Sequence, residues 1–156
     1  MMSLDRTRAI GWSLVAVQGV LLVGLISIGG RNDWPTPPWL HQVGTGLVTI
    51  GLIVVAVGAT GLGRLLTATP VPKSDGTLVT DGLYRWVRHP IYTGVLLIVV
   101  GLVAPSGRWL TLVLGCLTAV FFFVKSTWEE ERLAERYDGY ADYRRATPRF
   151  FPRLRD

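Results

Sequence analysis

Four runs without a charged side chain, separated by short basic stretches, constrain this chain more than any motif does. They cover residues 9–28, 39–60, 90–104 and 109–124. Leu, Val, Ile and Gly dominate all four. In hydrocarbon the backbone must satisfy its own hydrogen bonds, so runs of this kind are read as membrane helices. The last two are short and are joined by "PSGR", which predicts an antiparallel helical hairpin whose helices extend beyond the apolar core. The expected fold is an all-α membrane protein with about four transmembrane helices, the last two a hairpin, followed by a C-terminal helical tail. A length of 156 residues suits one integral-membrane domain.

Charge orients this arrangement. Of the sixteen Lys and Arg residues, only Arg31 and Arg108 fall in the loops after the first and third runs. The other fourteen lie at the N-terminus, in the 61–89 segment or after the fourth run, which predicts both termini in the cytoplasm. A bacterial or archaeal plasma membrane is the expected address. Arg6 and Arg8 ahead of the first run resemble the start of a signal peptide. The run is as long as a membrane span requires, about 20 residues, and no small-residue cleavage site follows, so a retained first helix is expected. Trp34, Trp39 and Trp109 fit an interfacial belt on the opposite side.

The formal charge is +5, but the basic residues flank apolar runs, so membrane topology accounts for them and nucleic acid is not an expected partner. The single cysteine, Cys116, allows neither an internal disulfide nor a thiolate metal site, and His41 and His89 stand far apart with no zinc-binding spacing. No metal is expected. Gly61 and Gly63 in "GLGRLL" lack the strand–turn–helix setting of a phosphate loop. They read as the end of the second helix.

Two polar clusters remain, both predicted on the cytoplasmic side. The first is "YRWVRHPIYTG", residues 84–94, directly ahead of an apolar run. Pro90 suits the first turn of a helix, where its missing N–H costs nothing. His89 is then pushed out of helical geometry and sits at the helix mouth, beside free N–H groups. Gly94 and Gly101 share a face and leave room for a close neighbour, either a helix or a ligand. The second cluster is Lys125, Glu129, Glu130 and Glu131, which follows "VFFFV" without a break. Lys125 and Glu129 share a helix face. The tail opens as a charged helix and is expected to break near Asp138-Gly139. A basic juxtamembrane anchor would account for the first cluster, and solvated charge pairs for the second.

Taken together, "LVTDGLYRWVRHPIYTG", the distant "EEERL" and "TPRFFP" resemble the integral-membrane isoprenylcysteine carboxyl methyltransferase and phospholipid methyltransferase group, over roughly residues 61–154. The resemblance implies methyl transfer from S-adenosylmethionine to a lipophilic or small-molecule acceptor at the cytoplasmic face. It places Tyr84, Arg88, His89, Tyr92, Gly94 and Glu130 on the cofactor-binding elements, and Lys125 and Glu129 at the reaction centre. Residues 61–156 would then form the cofactor-binding core and tail. Relatives often carry arginine where Lys125 stands, so bidentate recognition of a carboxylate is lost here. "RYDGY" departs from the Phe-Gly that relatives tend to have before the tyrosine. Two other readings share this architecture: an NADPH-dependent membrane reductase and a non-catalytic lipid-binding protein.

Overall fold

The computed structural model describes residues 4–67 and 77–153, and every regular element among them is helical. The helices are α1 (Leu4–Ser27), α2 (Pro38–Leu62), α3 (Pro90–Val103), α4 (Trp109–Arg136) and α5 (Tyr140–Ala146). Short 3-10 turns occupy Gly63–Leu65 and Gly82–Arg85. α1, α2 and α4 are long and apolar enough to cross a bilayer. The outward faces of these three helices are rich in exposed Val, Leu, Ile, Trp and Phe, as a lipid-facing surface requires. The chain is therefore an integral membrane protein.

α3 has 14 residues, a rise of about 21 Å, against a hydrocarbon thickness of about 30 Å. Its hairpin with α4 is present, but only α4 extends beyond its apolar run, since α3 ends at Val103, and the main partner of α3 is α2. Gly44 and Gly51 on α2 meet Gly101 and Gly94 on α3 with no room between the backbones. A Cβ at Gly51 would lie 2.5 Å from the Gly94 carbonyl oxygen, and one at Gly94 would lie 2.6 Å from that of Gly51. Lipid provides no hydrophobic drive for two helices to associate, so close backbone packing through small residues supplies the attraction instead. This answers the choice the sequence left for Gly94 and Gly101. The neighbour they admit is a helix.

Pro90 opens α3, and His89 before it is non-helical at φ −126° and ψ 62°. α2 ends at Gly63 in the left-handed region, φ 49°. α4 continues unbroken from the apolar run through the charged segment to Arg136, and the expected break follows before α5.

At the end of the bundle holding the α1–α2 loop, contacts are tight. Asp33 N donates to Gly107 O at 2.8 Å, and Trp109 N donates to the Asp33 carboxylate at 2.8 Å. Arg108 donates to the carbonyls of Ile28 and Gly30, and the Trp34 and Trp109 rings meet edge-on at 4.9 Å. The other end holds both polar clusters.

Candidate functional site

The site starts from a shortage of helix. Ahead of α3, the chain from Gly82 to His89 forms a 3-10 turn and then irregular backbone, whose N–H and C=O groups need partners. Away from water such groups must be satisfied by surrounding protein. The C-terminal strap supplies that protein: Arg88 N donates to Pro148 O at 2.9 Å and His89 N to Arg149 O at 3.1 Å. Thr93 Oγ1 donates to Phe150 O at 2.8 Å, and Tyr143 donates from its hydroxyl to Tyr84 O at 2.6 Å. "TPRFFP" therefore wraps the mouth of α3.

One buried carboxylate pins this wrap. Glu130, 1% exposed, accepts from Arg88 Nε at 3.0 Å and Nη2 at 2.8 Å. It also accepts from Arg149 Nε at 3.1 Å and Nη2 at 2.8 Å, and from His89 Nε2 at 3.1 Å. Arg88 Nη1 donates to the carbonyls of Arg144 and Thr147. Such forked, charge-assisted bonds fix orientation as well as charge.

Beside this pin lies a cavity of about 570 Å³, within the range of small-molecule sites, roughly 300–1,000 Å³. All five tyrosines of the chain line it: Tyr84, Tyr92, Tyr137, Tyr140 and Tyr143. Leu62, Leu65 and Leu66 give it an apolar side, and Glu129 and Lys125 contribute charge. Glu129 accepts the Tyr92 hydroxyl at 2.7 Å and lies 3.7 Å from His89 Nδ1. The His89 and Tyr92 rings stack at 5.2 Å. Burial, with the nearby Glu129 carboxylate, pushes the Tyr84 phenol well above its ordinary range, and burial raises Tyr143 to about 12. Both stay neutral donors at physiological pH. The Tyr140 hydroxyl is buried and has no hydrogen-bond partner among the described residues. Among the described residues, no group of three or more His, Cys, Asp or Glu side chains is placed to hold a metal ion.

Residues 39–139 match the family model described as phospholipid methyltransferase. The chain belongs to that family. It is 36% identical, over 97% of its length, to the cobalt-zinc-cadmium resistance protein CzcN of Cupriavidus metallidurans. It is also 36% identical to the protein-S-isoprenylcysteine O-methyltransferase of Schizosaccharomyces pombe, over 51% of this chain and 35% of that protein. The solved structure of a eukaryotic intramembrane Ras methyltransferase, isoprenylcysteine carboxyl methyltransferase, superposes with a TM-score of 0.67 at 20% identity, covering 95% of this chain and 51% of that one. That likeness establishes the shared fold. The chain spans about two-thirds of the length of the CzcN relative, 66%.

Within this methyltransferase-family fold, the residues singled out from the sequence separate into three places. Tyr84, Arg88, His89, Tyr92, Lys125 and Glu129 line one cavity. Glu130 sits behind the cavity wall, fully engaged by Arg88, His89 and Arg149. Gly94 lies in the α2–α3 contact. Sequence reasoning assigned no role to Gln18, Arg149 or Tyr143. Gln18 was visible as an amide in the middle of an apolar run, and Arg149 as the basic residue inside "TPRFFP". Tyr143 was visible as the second of two tyrosines three residues apart in the tail.

Proposed function

We propose that the chain transfers a methyl group from S-adenosylmethionine to a lipophilic or membrane-associated acceptor at the cytoplasmic face of the membrane. The observation that most supports this reading is the convergence of all five tyrosines and the Glu129 carboxylate on one cavity. Aromatic faces and a carboxylate attract a compact organic cation, and the donor set therefore suits a sulfonium. When bound, S-adenosylmethionine supplies an electrophilic methyl group on a positively charged sulfur. The chain's own part is to hold and align the two reactants and to exclude water, since methyl transfer is an in-line displacement that depends on positioning.

Tyr84, Tyr92, Tyr140 and Tyr143 would surround the cofactor with π faces, and the unpartnered Tyr140 hydroxyl would bond to one of its polar groups. Glu129, held by Tyr92, would balance its positive charge. Arg88, His89 and Glu130 keep the wall in place through the bonds they make to one another and to the strap. Leu62, Leu65 and Leu66 provide a side along which an apolar acceptor chain can lie. The reductase alternative lacks comparable support. NADPH is polyanionic, whereas among the described residues lining the cavity Arg88 is engaged by Glu130 and two backbone carbonyls and Lys125 is the remaining cation.

Melting of the purified protein in detergent tests the reading. Saturating S-adenosylhomocysteine is expected to raise the melting temperature, because a ligand at 100 times its dissociation constant adds about 2.7 kcal/mol. NADPH is expected to leave it unchanged. Stabilisation by NADPH alone would instead identify a reductase, and stabilisation by neither a non-catalytic protein. Radiolabelled methyl transfer to total lipid extract and a panel of small thiols then reports the acceptor.

A further inference from the structure

Between Leu14 and Ile26, α1 carries one polar side chain, Gln18. It turns away from lipid and lines the tyrosine cavity. Its Oε1 accepts a hydrogen bond from Lys125 Nζ on α4. Lys125 is 3% exposed, and its ammonium lies 5.3 Å from the Tyr92 ring centroid and 5.9 Å from that of Phe122. An amine inside a membrane-spanning helix is costly and needs partners. Gln18 and the two ring faces hold it in one pose against the cavity wall.

This pairing has a chemical consequence. An ammonium carries three donors, and Gln18 takes one. With its oxygen bound to Lys125, Gln18 is left with its amide N–H groups, which have no protein partner among the described residues. At Gln18 and Lys125 the wall thus offers donors only. One helical turn further along α4, Glu129 offers acceptors only and holds the Tyr92 hydroxyl. Gln18 is also neutral, so it fixes the Lys125 charge without cancelling it. A carboxylate at position 18 would fix the same amine and remove its net charge.

We propose that Gln18 is a specificity-determining residue: with Lys125 it forms a donor pole that takes the anionic, hydrogen-bond-accepting head of an apolar acceptor and turns away a cationic head. The inference rests on the methyl-transfer reading above. It assigns the acceptor to the Gln18–Lys125 pole and leaves the positively charged cofactor to Glu129 and the tyrosines.

The test uses the full chain in non-ionic detergent, with decanoate and decylamine as probes. With S-adenosylhomocysteine present, decanoate is expected to raise the melting temperature of the wild type by several degrees and decylamine to have no such effect. Gln18→Leu should lose the decanoate shift and keep the S-adenosylhomocysteine shift. Gln18→Glu should reverse the preference to decylamine, and Gln18→Asn should restore part of the decanoate shift. A structural role for Gln18 would lower melting temperatures without exchanging one probe for the other. If Gln18→Leu does not fold because Lys125 loses its partner, the Glu and Asn variants decide the matter. An unchanged decanoate shift in the variants, or none in the wild type, overturns the proposal. A wild type that ignores S-adenosylhomocysteine overturns the methyl-transfer reading separately, because the decanoate comparison is made without cofactor as well.

Discussion

Glu130 joins three separate pieces of chain through one pair of oxygens. Arg88 and His89 reach it from the mouth of α3, Arg149 from the strap, and Arg144 from α5 at 3.7 Å. Removing one partner of a buried ionic group exposes the others to an uncompensated charge, and such losses run to about 3–5 kcal/mol. Glu130→Ala would leave Arg88 and Arg149 facing each other across an empty space. Its melting temperature in detergent is expected to fall sharply, and trypsin should cut the strap near Arg149 faster than in the wild type. Glu130→Gln keeps an oxygen acceptor and should lose less. Equal melting of wild type and Glu130→Ala would refute this role of Glu130. This residue also shows how far the sequence could be read. Its kinship with "RHP" was legible through the paired motifs. That Arg149 completes its coordination was not, because 19 residues and a helix break separate the two in the chain.

At the scale of elements, the helices themselves were legible because lipid leaves a long apolar run little choice but to form one. Their partners were less so, since four apolar cylinders look alike to one another. The signal that decides the pairing is the seven-residue spacing of Gly44, Gly51 and Gly58 on α2, matched by Gly94 and Gly101 on α3. A spacing of seven is two helical turns, so each set forms a stripe on one face. Gly94→Ala would push a methyl group to 2.6 Å from the Gly51 carbonyl oxygen and 2.8 Å from a Val55 methyl. Neither helix backbone can yield without losing the contacts above and below. A cost of about 1–3 kcal/mol is expected, as for other overpacked sites, and the whole cavity should loosen with α3. Gly19→Ala is the control, since a Cβ there meets nothing within 4 Å. It should melt like the wild type or slightly above it.

For the whole molecule, the short α3 links fold, depth and orientation. Because α3 rises only about 21 Å, its mouth and the cavity beside it stand below the level reached by α4, whose 28 residues run on to Arg136. The end of the bundle that carries the cavity also carries Arg64, Arg85, Arg132, Arg136, Arg144, Arg145 and Arg149, whereas Arg31 and Arg108 stand at the other end. Basic flanks are retained on the cytoplasmic side during insertion, so the cavity is expected to open to the cytoplasm, where a charged, water-soluble cofactor is available. Reporter fusions check this directly. Green fluorescent protein fused at either terminus should fluoresce, and alkaline phosphatase fused at either should be inactive. In a Cys116→Ala background, Ser106→Cys in the α3–α4 turn should react with an impermeant maleimide added to intact cells, while a cysteine at Arg136 should react only after the membrane is opened. The opposite labelling pattern would invert the molecule and place the tyrosine cavity outside. A sulfonium cofactor made in the cytoplasm could not then reach it.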